Sequence, residues 1–482
     1  AETSAKAVKE KLIVAQDGEP KSLDVHQGND GFSLRANKLI YSRLVESDGD
    51  MNILPGLAES WEQLDDKTMQ FKLRKGVKFH NGYDFTAEDV KFSFDRMANS
   101  PRIAFVLPPI EKVEVVDDYT VNIVTKTPFG PLLAHLSHPA LGIVSKKLLT
   151  EDEQSFKDHP IGTGSYKFKE WIPGDSLTLE KNEDYFDKKN GLKYIVFKNI
   201  VEASNRTIGW EIDISIAVSS VDENTIKNNP KLQLITKPSI SYSYVGMNTQ
   251  KTPLNDVRVR KAINYAVDKQ AIVDVILNGS GKIATSPIAP GVFGFTDKTK
   301  NYEYNVEKAR ELMKEAGYEN GFKTSILVFG GEANTQTAEI LQAYLKEIGI
   351  DLRIDVVEVS AYWDATEKGR HDLFLGSWGV VTGDADYGLY PLLHTSCFGG
   401  AGNRAFYDNP KVDELLTKAR NSNDQDERKA LYNQVQIIVQ EEVPLYITAY
   451  KAQNAGLQKY VDNFKLKAAG HHRLYGTKFK QN

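Results

Sequence analysis

The chain has 482 residues, of which 41% are hydrophobic and 26% charged, with a formal net charge of −5. That length supports a large buried core but exceeds one compact unit, so two or three domains are expected; the charge balance argues against disorder and against nucleic acid or an anionic membrane as the main partner. A single cysteine, Cys397, rules out an intrachain disulfide and a cysteine-rich zinc site, and no apolar run approaches the ~20 residues needed to span a bilayer.

The first residues, Ala1-Glu2-Thr3-Ser4, suit a mature terminus left by cleavage after small residues. Lys11–Ala15 reads as a strand, and Met69–Leu73 and Val113–Thr125 alternate like half-buried strands. Thr86 followed by Asp89 predicts a capped helix start, with Val90, Phe92, Phe94 and Met97 behind it. Residues 255–278 predict one long helix ended by Gly279, and Asn305 to Gly317 a second, with Asn305 as its N-cap. A third helix, Thr335–Ile348, lies between strands in residues 323–357, a βαβ unit. Val412–Leu416 and Ala430–Val439 read as further helices. Tyr242–Asn248 and Val443–Tyr450 are extended, apolar and aromatic. They bracket an α/β stretch of about two hundred residues, either as crossing hinge strands between two lobes or as ordinary core strands. The expected fold class is α/β with mixed sheets.

Catalytic patterns are missing. Gly279-Ser280-Gly281 lacks the spacing of a nucleophile elbow, and no phosphate loop, dinucleotide fingerprint or His-Glu-x-x-His occurs. The tandem His471-His472 would point apart on a strand, which favours surface histidines over a metal pair. Asp384 and Asp386 lie in a Thr-Gly-Asp-Ala-Asp run that reads as a loop, where they would cap, meet solvent or orient a ligand site. No enzyme activity, cofactor or metal is expected.

Several ordered phrases resemble one family. Leu57-Ala58-Glu59-Ser60-Trp61 precedes Phe79-His80-Asn81-Gly82, Phe85-Thr86-Ala87-Glu88-Asp89-Val90 and Phe92-Ser93-Phe94-Asp95-Arg96. Pro160 to Tyr166 and Trp171 with Pro173-Gly174-Asp175 follow, and then Met247-Asn248-Thr249, Pro253 and the run from Asp256 to Asp268. This set is similar to the family 5 solute-binding proteins of ABC importers, which bind dipeptides, oligopeptides, nickel or glutathione. The resemblance implies a two-lobed periplasmic-binding-protein fold (type II, cluster C). The large lobe would be residues 1–244 plus 448–482, with an extra subdomain at about 40–158, and the small lobe 245–447. It also implies an extracytoplasmic monomer that delivers its solute to an inner-membrane permease and its ATPase, with the ligand held in the interlobe cleft.

Peptide binders of this family carry an Asp just after the cleft Trp; here the Trp is Trp378 and that place holds Val381. The stretch Leu136–Val144 has no Arg, unlike the nickel carriers. The phrase Trp378–Leu393 is similar to the glutathione-binding branch and its relatives described as haem-binding. A peptide or glutathione-like solute is therefore expected. A metal-chelate or haem ligand, involving His138, His471 and His472, and an oligosaccharide are the alternatives. The expected ligand contacts are Trp378, Arg404, Asn403, Tyr242, Asn29, Asp384, Tyr387 and Phe32, with Arg35 and Asp386 behind them and Met247-Asn248 structural. Between Arg206 and Asp213 the sequence is about three residues shorter than the family phrase.

Overall fold

The computed structural model describes residues 9–189, 191–202 and 211–481. The expected mature terminus at residues 1–4 and the shortened stretch from Arg206 to Trp210 lie outside the described residues. The chain divides into two compact units: Ala1–Thr127, Leu132–Lys237 and Gln453–Asn482 form the first, Pro128–Pro131 and Pro238–Ala452 the second. The expected lobe limits, 244 and 448, fall inside the strands Leu232–Met247 and Leu445–Gln458, each of which runs from one unit into the other.

In the first unit, Leu12, Val14 and Ala15 are all buried, as in a strand covered on both faces. That strand, Lys11–Gln16, lies parallel to Tyr194–Asn199 on one side and to Ile214–Ile216 on the other. Antiparallel strands Ser176–Lys181 and Tyr166–Ile172 extend the sheet. A separate four-stranded antiparallel sheet takes the order Ala58–Gln63, Thr68–Leu73, Thr120–Thr125, Ile110–Asp117. The alternating run at 113–125 is thus a hairpin. The Asp117 carboxylate accepts the Tyr119 backbone N–H at 2.9 Å and turns the chain. The expected capped helix forms at Ala87–Ala98, where the Thr86 N–H donates to the Asp89 carboxylate at 2.9 Å.

Near the end of that helix Arg96 closes a buried network. Its two terminal nitrogens bridge the Asp24 carboxylate at 2.8 and 2.5 Å, and one of them donates to His26 Nδ1 at 2.9 Å. His26 Nε2 lies 2.8 Å from the Gly142 carbonyl, so the ring is neutral with its proton on Nε2. Burial, and then the Arg96 charge, push His26 down to about 4. A folded value below the ordinary 6.5 means the unfolded chain takes up the proton first. The stabilisation is full above pH ~6.5 and is lost as pH falls toward ~4, roughly 3 kcal/mol for this residue. Denaturant titrations at pH 7.5, 6 and 5 should show it, and His26→Gln should flatten the slope in that window. An unchanged slope in the variant would assign the acid sensitivity elsewhere.

In the second unit, strands Ile350–Val357, Phe322–Phe329 and Leu373–Gly379 run parallel in that spatial order, and Leu373–Gly379 pairs antiparallel with residues 241–247. Helix Glu332–Lys346 joins the first two in the expected βαβ unit. It starts a turn earlier than the sequence indicates, because Gly331, at φ +135°, swings the chain into it. Ile326, Val328, Leu341, Leu352, Val259, Ile263 and Tyr446 share its core. Residues 255–278 form two helices rather than one, Val257–Ala266 and Lys269–Ile276. Val267 is extended, and Asp268 accepts the Gln270 N–H at 3.0 Å, a second N-cap that stops the first helix as it starts the next.

Candidate functional site

Three parallel strands of the second unit end at Val357, Phe329 and Gly379 on one edge of the sheet. Ligands of open α/β sheets bind at such carboxyl ends, where backbone direction changes and side chains from several loops converge. Trp378 lies at the last turn of its strand, half-buried, and its indole N–H donates to the Tyr387 carbonyl at 2.9 Å with the two rings 5.5 Å apart. Tyr387 belongs to helix Ala385–Leu393.

That helix is fixed by two buried ion pairs. Asp384 is its N-cap, accepting the Asp386 N–H at 2.9 Å. The Arg428 guanidinium grips both Asp384 oxygens at 3.0 and 2.7 Å, and its other donors reach Ala419 O, Gln425 Oε1 and the Tyr432 hydroxyl. All five N–H groups of a fully buried arginine are thereby satisfied. Arg420 holds Asp386 in the same bidentate way at 2.8 and 2.9 Å and stacks 3.4 Å over Tyr390. Both aspartates are buried, so of the alternatives left open by the sequence the solvated one falls away and capping holds for Asp384; together they fix the helix that carries Tyr387.

Arg404 follows a tight loop. Gly402 sits at φ +135° with no room for a Cβ, which would meet the Pro391 carbonyl at 2.5 Å. The Arg404 side chain stacks 4.6 Å above Trp363, donates to Thr366 Oγ1 at 3.2 Å, and stays half-exposed. Phe329 and Tyr362 pack with Trp363 at ring separations of 4.9 to 6.5 Å, and Tyr244 and Tyr362 feel the Arg404 charge. Sequence reading missed this aromatic group. The available signals were a Tyr-Trp pair after a strand and the Gly330-Gly331 strand end.

Other expected contacts fall elsewhere. Asn403 is buried, with its amide spent on the His394 and Tyr407 backbones at 3.0 to 3.1 Å, so it shapes the Arg404 loop. Tyr242 is fully buried, 5.9 Å from Tyr244 and in register with Trp378. Asn248 donates to Gly369 O and His371 O, the structural role expected of it. In the first unit, Asn29 is exposed beside a pocket of about 400 Å³ lined also by Lys21, Gln27, Gly28, Asp30 and Arg102. Asp30 caps helix Gly31–Ile40 through the Ser33 N–H at 2.9 Å, which sets the half-buried Phe32 on its first turn. Arg35 donates to Gln16 Oε1 at 2.5 Å and lies 5.9 Å from the Phe32 ring. His471 and His472 are both buried, against the expectation of surface histidines, because the C-terminal segment folds back into the first unit.

Among the described residues, no helix is long and apolar enough to cross a membrane, and no group of three or more His, Cys, Asp or Glu is arranged to hold a metal ion. Residues 52–400 match the bacterial extracellular solute-binding proteins, family 5 (middle). The chain belongs to this family. A glutathione-binding protein, GsiB, of Pectobacterium atrosepticum is 32% identical over 93% of this chain and 90% of its own length. A heme-binding protein A of Haemophilus influenzae is also 32% identical, over 93% of this chain and 88% of its own. Among solved structures, the ABC transporter-associated periplasmic binding protein DppA of Helicobacter pylori, in complex with the peptide STSA, superposes with a TM-score of 0.84. It is 31% identical and covers 98% of both chains. The chain is therefore an extracytoplasmic binding protein of mixed α/β fold rather than an enzyme.

Proposed function

We propose that this family 5 protein captures a short peptide or a glutathione-like peptide outside the cytoplasm and hands it to an inner-membrane ABC permease. The observation that carries the reading is the charge pattern around Trp378. Asp384 and Asp386 are neutralised by Arg428 and Arg420, and Val381 carries no charge, so the nearby residues offer no free carboxylate to a peptide amine. The Arg404 guanidinium, stacked on Trp363, is the available partner at this edge and suits a carboxylate. Glutathione has two carboxylates and a γ-linked amine, so recognition through acid groups fits it better than an ordinary dipeptide. The relative named for glutathione supports the same choice.

In this reading Trp378, Tyr387 and Arg404 of the second unit, and Phe32 and Asn29 of the first, touch the solute. Asp384, Asn403 and Tyr242 support them. The two strands shared by the units are the proposed hinge, the lobe limits remain those given by the sequence, and the protein works as a monomer.

Isothermal titration with glutathione, its disulfide and a set of dipeptides is the direct test. Saturable heat with either glutathione form, and weaker binding by Arg404→Lys because the planar fork is lost, is the expected result. Heat with dipeptides alone would move the solute to the ordinary peptide class. Native mass spectrometry of the purified protein would reveal a haem or metal chelate instead.

A further inference from the structure

We propose that the first-unit pocket lined by Lys21, Gln27, Asn29, Asp30 and Arg102 is a subsite for the solute's carboxylate that stands apart from its amine, an assignment that rests on the peptide or glutathione-like reading above for the identity of the solute. The pocket encloses about 400 Å³, within the range of ligand sites.

Its walls come from three stretches of chain that hydrogen bonds tie together. The Lys21 N–H donates to Ser33 Oγ at 2.9 Å, and that hydroxyl donates to the Asp30 carboxylate at 2.5 Å. On the other side, the Ser100 hydroxyl donates to the His26 carbonyl, and the Ser100 carbonyl accepts the N–H of the fully buried Ile103 at 3.3 Å. Pro101 and Arg102 therefore span two fixed points beside the 26–30 loop. Arg96, on the helix just before this turn, holds Asp24 and His26. Walls fixed in this way spend little ordering entropy when a ligand enters.

The acids of this stretch are already engaged. Asp24 is gripped by Arg96, the Asp30 oxygens take the Ser33 N–H at 2.9 Å and its hydroxyl, and Glu19 accepts the Gly174 N–H at 2.8 Å. By contrast, the Lys21 ammonium and the Arg102 guanidinium make no hydrogen bond or ion pair among the described residues. The side chains of Gln27 and Asn29 are exposed and add neutral donors. Two cations on an open surface are ordinarily just solvated. Here they come from separate stretches to line one concavity, and the carboxylate in its lining is turned onto Ser33. An entering carboxylate meets an ammonium and a guanidinium fork that can hold it in bidentate fashion. The glutamyl end of glutathione carries an ammonium beside its carboxylate and would bring like charge toward Lys21 and Arg102. The glycine end carries a carboxylate alone and fits, which leaves the glutamyl carboxylate to Arg404.

Isothermal titration of the full chain tests this with glutathione and with glutathione esterified at its glycine carboxylate. The proteins compared are the parent, Arg102→Gln, Lys21→Gln, the double variant and the conservative Arg102→Lys. Glutathione binding is expected to weaken roughly fivefold in each single variant, as for partly exposed charge pairs, and further in the double variant. Arg102→Lys should keep most of the affinity. The ester should bind the parent about as weakly as glutathione binds the double variant, and no variant should weaken it further. Melting temperatures should match the parent, because both side chains are exposed. Undiminished glutathione binding by the double variant overturns the subsite and leaves the proposed function standing. Equal losses for glutathione and ester overturn it too, since the cations would then act at a distance and not on that carboxylate. If the parent gives no heat with glutathione, the preference for glutathione fails separately, and alanyl-phenylalanine and its C-terminal amide replace the two probes. If no peptide binds, the proposed function fails, and acetate replacing chloride at constant ionic strength decides the subsite. A saturable rise in melting temperature, lost in the double variant, supports the anion pocket, and no rise overturns it. Acetate that binds without competing with a bound peptide marks a free-anion site and overturns the assignment to the solute.

Discussion

Replacing Arg428 by leucine is expected to destabilise the second unit by about 3–5 kcal/mol, because it leaves the buried Asp384 carboxylate with no counter-charge. Asp384 would keep only the Asp386 N–H as a charge-assisted donor, and Ala419 O, Gln425 and Tyr432 would each lose a hydrogen bond. The effect should reach the solute. The pair fixes helix Ala385–Leu393, and that helix supplies the carbonyl to which Trp378 is anchored. Chemical denaturation should therefore show a lower midpoint, and titration at low temperature, where the variant is still folded, should show weaker binding. The double variant Arg428→Leu with Asp384→Asn should recover part of the stability, since the stranded charge is gone. A single variant as stable as the parent would mean that the carboxylate finds water or another cation, and that the pair does not hold the helix.

Trp378→Ala should weaken solute binding by roughly 30-fold, corresponding to about 2 kcal/mol for a large aromatic contact removed from a binding surface. Stability should change less, because the ring is only half-buried. Trp378→Phe keeps the apolar face but loses the N–H to Tyr387 O, and it should fall between parent and alanine. Titration of the three proteins with glutathione gives the comparison. Equal affinities would remove Trp378 from the site while leaving the family assignment intact.

Much of the second unit was legible in the chain because its signals are local. Asn305 and Gly317 bound their helix by capping and positive φ, and the strands of the βαβ unit follow from period-two apolar residues. The error at 255–278 has a local cause as well: Asp268 is a cap in mid-pattern, and apolar spacing alone runs straight through it. The proposed site was only partly legible. Trp378 and Arg404 stand out as candidates from their Gly-rich surroundings, but the choice between exposed and committed polar residues does not. Asn403 and Asp384 look as available as Arg404 in the sequence, and the structure spends both internally.

By itself the sequence determined the α/β class, several helix caps and some of the strands, because periodicity and capping act over a few neighbouring residues, while its ordered phrases carried the resemblance to the family. Only the tertiary structure decided which charges are spent. Asp384 meets Arg428 across 44 positions, and Lys467 meets Asp50 at 3.1 Å across 417. A side chain's burial and electrostatic partners depend on elements remote in the chain, and no local pattern carries that information.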